Sequence, residues 1–228
     1  MKNFLLTIAG IVLFIIFIVG AFTLVKIIMS TPSVILASTE CDPPCWYGIR
    51  PGQTNSSQVD EILRRQGVVN IDTIIGNEEG NDEITHITWY FQRPAVDGIG
   101  TIYFDKDEVT AINILTANSL KLADLFKILG QPEKCWTVIG YGENREYLDV
   151  VLLYPTKGYL AEVVININNG SNQVKLETTT PVFRVTYFVP EMFQELWEAR
   201  ELLDISIDPQ MGTFQAWSGY GMLSFERK

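Results

Sequence analysis

Histidine occurs once in this chain and cysteine three times. The first scarcity removes most chemistry in which an imidazole activates a serine or cysteine nucleophile. His86 is the one candidate base, and the strand pattern around it predicts a half-buried or surface side chain. The sequence holds no Gly-x-Ser-x-Gly elbow, no phosphate-binding loop and no dinucleotide-type glycine pattern. Three cysteines and one histidine, without a second close pair, do not make a zinc site, so no metal and no cofactor is expected. Basic residues are also short, at 17 against 27 acidic ones. Lys2 and Lys26 are the only charges in the first 30 positions, so the remainder carries 15 of the 17 basic side chains against all 27 acidic ones, a formal −12. That balance argues against nucleic acid, whose binding is driven by Lys and Arg displacing counterions. It equally denies the chain an electrostatic grip on an anionic membrane surface.

What the sequence has instead is apolar material, 47% of all residues, and one long uncharged run over residues 4–25. A helix of 22 residues rises ~33 Å, enough for a hydrocarbon core of ~30 Å. A cleaved signal peptide has a shorter apolar region and a small-x-small site close behind it. Here Ile35-Leu36-Ala37-Ser38-Thr39 is a poor and distant site, and Glu40 directly precedes Cys41, which spoils a lipoprotein box. The reading is a retained single-pass transmembrane anchor over residues 1–30 and a spacer over 31–45. A Pro-bracketed Cys41/Cys45 pair beside a membrane suits an oxidising compartment, which puts the domain outside the cytoplasm. Cys41–Cys45 is the first choice of disulfide because the two are close in sequence. Cys135 is the alternative partner for either, and spacing alone does not decide.

Past the spacer the chain reads as α+β. Thr54-Asn55-Ser56-Ser57 offers caps for a helix over 56–66 with Val59, Ile62 and Leu63 on one face. Residues 68–75 read as a short strand or packed loop. Gly76-Asn-Glu-Glu-Gly-Asn-Asp-Glu83 reads as a solvated acidic loop without the register of a calcium loop. Its carboxylates Glu78, Glu79, Asp82 and Glu83 are too solvated, on this reading, for the raised pKa of a catalytic acid. Strands follow at 84–92, 98–104 and 109–115. A second helix carries Leu122, Leu125, Phe126 and Leu129 and stops at Gly130. Further strands are expected at 134–139, 147–154, 159–167, 174–176 and 181–189. This order predicts two helix-plus-antiparallel-meander repeats, 46–115 and 116–189, then a C-terminal helix and tail over 190–228. Pro190 opens that helix over 191–203, and the tail beyond it is irregular around Trp217-Ser-Gly-Tyr-Gly-Met222.

Gly48-Ile49-Arg50-Pro51-Gly52-Gln53-Thr54, then Gln58-Val59 on a helix, Trp89-Tyr90-Phe91 on a strand and Ile102-Tyr103-Phe104-Asp105 with Val109 in a closing hairpin make a recognisable set. In these residues the chain resembles the small outer-membrane assembly lipoproteins of the SmpA/OmlA type and the related β-lactamase-inhibitor-protein-like fold. The stretch Cys41 to Thr54 also resembles the start, Cys-x-x-Pro-Cys-Trp-x-Gly-Ile-x-Pro-Gly-x-Thr, of membrane-anchored bacterial proteins of uncharacterised function. The resemblance covers about residues 46–115 and implies a bacterial envelope location with a non-catalytic, protein-binding role. The chain departs from it in lacking an acylated cysteine box and in its acidic insertion. Function is therefore expected to be that of a membrane-anchored extracytoplasmic module binding another envelope protein. The alternatives are a sensor or carrier of a small molecule or glycan, and an acidic-residue hydrolase. The candidate binding residues are Trp89, Trp136, Trp217 and Tyr220, in a cleft between the halves.

Overall fold

Alternation of apolar and polar residues dictates a half-buried strand, because successive side chains point to opposite faces. The computed structural model follows that rule through most of the chain. It describes residues 36, 41–42, 44–79, 83–92, 98–141, 145–167, 170–198 and 210–227. The chain divides into units Met1–Thr31 and Pro32–Lys228, and the described residues all lie in the second. Eleven strands are described: β1 Ile75–Glu79, β2 Glu83–Tyr90, β3 Ile99–Asp105, β4 Glu108–Leu115, β5 Lys134–Tyr141, β6 Glu146–Tyr154, β7 Tyr159–Ile167, β8 Gln173–Leu176, β9 Arg184–Phe188, β10 Thr213–Ala216 and β11 Gly221–Ser224. Nine form one antiparallel sheet in the order β1-β2-β3-β4-β9-β7-β6-β5-β10, and β8 pairs with β11 in a separate ribbon. The helices are short: α1 Ser56–Arg65, α2 Leu122–Leu129 and α3 Phe193–Glu198.

This corrects the expected fold class. The described residues are mostly β, and the two helix-plus-meander repeats expected of an α+β chain are a single nine-stranded sheet; of the expected C-terminal helix, Phe193–Glu198 is helical. The physical reason lies in β9. Strand order along a sequence is local, whereas β9 hydrogen-bonds both to β4 and to β7 and so runs the two expected meanders into a single sheet. The acidic stretch expected as a loop supplies the edge strand β1, and the expected irregular tail supplies β10 and β11. Among the described residues no helix is long and apolar enough to cross a membrane. Residues 4–25, where the sequence places such a span, lie outside the described residues, as do 199–203 of the expected C-terminal helix.

The main core lies between one sheet face and the segment 45–65 with α2. Cys41 and Cys45 form a disulfide, with Cα atoms 5.8 Å apart, and Cys135 is a buried free thiol. Directly after the bridge, Tyr47 and Gly48 take φ of 48° and 88° in a tight turn that pairs Trp46 with Ile49. The turn sinks Trp46 until no surface remains exposed, against Trp89 at 5.2 Å between ring centroids. Helix α1 begins in a capping box, Asn55 accepting from the Gln58 N–H at 3.0 Å and donating its own N–H to Gln58 Oε1 at 3.1 Å. Its Val59 and Leu63, four apart, supply the buried stripe. Helix α2 buries Leu122, Leu125, Phe126 and Leu129 in the same core. Its C-terminal carbonyls are taken by two tyrosines from the sheet: Tyr159 donates to Leu129 O at 2.7 Å and Tyr154 to Gly130 O at 2.9 Å. A second cluster on the opposite face joins Trp136, Val151, Leu153, Leu160 and Phe188 to Leu196 and Trp197 of α3.

Two outcomes follow. Trp89 lies over Gly100 so closely that a Cβ built there would sit 2.0 Å from the indole. Gly100→Ala should lower stability by ~1–3 kcal/mol in urea unfolding, whereas Gly67→Ala, with open space around it, should stay within ~0.5 kcal/mol. Burial, and then the charge of Glu133, pushes the Tyr159 hydroxyl up to about 12, and burial lifts Tyr154 further still. A raised folded-state pKa stabilises below the unfolded value and is lost above it. Stability should hold up to about pH 10 and fall as pH rises through 12, with Tyr159→Phe flattening the fall in alkaline denaturation curves.

Candidate functional site

The two sheet faces fare differently along the sheet. On β2 and β3, Ile87, Trp89 and Ile102 enter the main core. The other parity, His86, Thr88 and Tyr90, faces Tyr103, Thr101 and Ile99 across the strand pair in that order. Thr88 and Thr101 hydroxyls lie 3.3 Å apart, and the His86 and Tyr103 rings lie 6.0 Å apart. This face is uncovered enough that Tyr90 is 51% exposed, Tyr103 39% and Ile75 of the flanking strand 58%. β1 is also an edge. Among the described residues it pairs with β2 alone, with a register irregularity after Asn77.

Further along, the same face is covered. Phe188, Leu160, Leu153, Val151 and Trp136 lie beneath α3 in the second cluster. Between the open and covered parts runs a band of buried polar side chains, Asn113, Thr186, Arg184 and Glu162, on neighbouring positions of β4, β9 and β7. Arg184 and Glu162 form an ion pair that is almost wholly out of water. Asn113 Oδ1, Thr186 Oγ1 and Arg184 Nε have no hydrogen-bond partner among the described residues. Also among the described residues, no group of three or more His, Cys, Asp and Glu is placed to hold a metal ion.

The four residues expected to bind do not meet in one cleft. Trp89 and Trp136 are fully buried in two different clusters, Trp89 against Trp46 and Trp136 against Trp197 at 5.3 Å. Trp217 and Tyr220 do come together, each 5.4 Å from Phe126 of α2, and Trp217 donates its indole N–H to Gln131 at 2.7 Å. Large aromatics that find apolar neighbours go to the core, which is what removed the first two from the surface. Glu79 pairs with Glu83, so residues 76–79 and 83 of the acidic run that read as solvated loop are backbone-paired strand, and residues 80–82 lie outside the described residues. Sequence reasoning passed over Ile75, Tyr90 and Tyr103 as a group. The alternation in β2 and β3 carried the signal for the two tyrosines, and nothing in the composition of β1 marked its edge.

The buried ion pair gives a test of the polar band. Glu162→Ala strands the Arg184 guanidinium out of water and should cost ~3–5 kcal/mol in chemical denaturation. The paired change Glu162→Leu with Arg184→Met should recover most of that loss. The chain matches no family model, no curated protein and no solved structure.

Proposed function

We propose that this protein is a non-catalytic, extracytoplasmic module of the bacterial envelope, held at a membrane by its apolar residues 4–25, that binds another envelope protein through β1 and the open face of β1–β3. The observation that carries the reading is the uncovered face itself: Ile75, Tyr90 and Tyr103 remain exposed beside an edge strand, while Phe188, Leu160, Leu153, Val151 and Trp136 further along that face are buried. Exposed apolar groups gathered on one face mark interaction sites. Tyrosine is enriched in such surfaces because it gives large rigid contact area with a polar tip. An edge strand can accept one more strand, its backbone supplying affinity and alternate side chains supplying specificity.

A chain of net charge −10 steers towards a basic partner, so the segment that adds to β1 is read as extended and Lys/Arg-bearing. The Cys41–Cys45 bridge supports an oxidising compartment. The likeness to the SmpA/OmlA-type lipoproteins over residues 46–115 supports an assembly or scaffolding role over an enzymatic one. A single histidine leaves few ways for an imidazole to activate a serine or cysteine nucleophile.

A photo-reactive amino acid at Ile75 or Tyr103 in cells should give one discrete protein adduct. The same group at Lys127, on the exposed side of α2, should not. Ile75→Asp combined with Tyr103→Asp should abolish the adduct seen from a probe at Thr101, with unfolding free energy changed by less than ~0.5 kcal/mol. Equal adducts from the Lys127 probe, or none from either face position, would remove the proposal.

A further inference from the structure

A cavity of about 680 Å³ opens at the far end of the same strands, where β2 and β3 meet the 3₁₀ turn Ile71–Thr73 and the turn after β4. Small-molecule sites commonly occupy ~300–1,000 Å³. The cavity lies four residues along β2 from the His86–Tyr103 pair, roughly 13 Å away at the rise of a strand. It shares Tyr90 with the open face, so a ligand on that ring and a protein partner covering it exclude one another.

Its walls are built by local hydrogen bonds. Thr73 Oγ1 donates to Asn70 O at 2.7 Å and accepts from the Tyr90 N–H at 3.0 Å, and the Asn70 N–H donates to Tyr90 O at 3.0 Å. These bonds fix the 3₁₀ turn against the end of β2 and hold the Tyr90 backbone, while its ring stays 51% exposed. The Asn70 amide oxygen accepts from the Asp72 N–H, which leaves its NH₂ group with no acceptor among the described residues. The Gln92 amide lies exposed at the cavity and has no side-chain partner among the described residues. Ile99 adds an apolar wall. Ala117, on the rim, holds φ of 45°, a left-handed conformation that costs a residue with a Cβ ~1–2 kcal/mol. Such strain gathers at ligand sites more than elsewhere.

We propose that this cavity binds a neutral oligosaccharide, with one pyranose ring lying on the face of Tyr90 and its hydroxyls paired with the Asn70 and Gln92 amides. A pyranose has a C–H face, slightly positive, and a rim of hydroxyls that both donate and accept. The first matches the negative face of an aromatic ring. The second matches carboxamides, which carry both functions on one planar group. An anionic ligand calls for Arg, Lys or converging N–H groups. The chain's net −10 repels anions. A wholly apolar ligand would desolvate the two amides without replacing their hydrogen bonds, at a cost.

The test is calorimetric titration of the full chain in phospholipid nanodiscs with maltotetraose, cellotetraose and chitotetraose, and with tetragalacturonate as the acidic counterpart. At least one neutral tetrasaccharide should bind saturably. Tyr90→Ala should weaken it by about tenfold. Gln92→Ala should weaken it measurably, and Tyr141→Ala, on the exposed end of β5, should leave it unchanged. Should Tyr90→Ala melt early, Gln92→Ala decides the question, because its side chain supports nothing else. Three outcomes each overturn the proposal: no neutral probe binds, tetragalacturonate binds as tightly as the best neutral probe, or wild-type affinity survives loss of the Gln92 amide and, in a folded variant, of the Tyr90 ring.

Discussion

One five-residue strand joins everything else. β9 lies between β4 and β7, its register running from Arg184 opposite Leu115 and Glu162 to Phe188 opposite Ala111. Every residue of it is buried. Because β9 is the shared neighbour, β1–β4 before α2 and β5, β6, β7 and β10 after it belong to one sheet, and their side chains share one main core. Its five residues also carry both faces of that sheet. Val185 and Tyr187 enter the main core, Phe188 enters the cluster under α3, and Arg184 and Thr186 belong to the polar band.

The consequence is a face with two fates. Where α3 lies over it, the sheet is buried on both sides and β6 is buried almost without interruption from Leu148 to Tyr154. On the β1–β3 side no described element lies over Tyr90 and Tyr103, so the same side-chain parity that is core at one end is surface at the other. The Arg184–Glu162 pair stands at that transition. A buried pair of this kind contributes little net stability, because taking two ions out of water cancels most of their attraction. It does penalise any register slip that would separate the partners, since a one-residue shift sends every side chain of a strand to the other face. We read its role as holding β9 in register against β7.

Much of this was legible in the residues themselves. An α1 cap within residues 54–57, the α2 stripe and its stop at Gly130, and the strands around Trp89, Ile102, Ile112 and Val150 follow from short-range rules, and the Cys41–Cys45 bridge is the first of the pairings the sequence left open. What escaped was long-range. No local pattern says that Arg184–Phe188 would enter between β4 and β7, so element order suggested two repeats. Composition misled from Gly76 to Glu79, since Gly and acidic residues read as loop although an edge strand tolerates them, half its backbone remaining in reach of water. The tryptophans misled in the opposite sense. Trp89 and Trp136 were large enough to line a cleft and were instead absorbed by the core, whereas the smaller, half-wet tyrosines stayed on the face.

The central claim is that β9 makes the sheet one cooperative body, and native-state amide hydrogen exchange measures that directly. The account predicts that the most protected amides of β3, β4, β9, β7 and β6 exchange at one common free energy equal to that of global unfolding. Exchange of β3 and β4 at a clearly lower free energy than β6 and β7, with β9 following only one side, would contradict it.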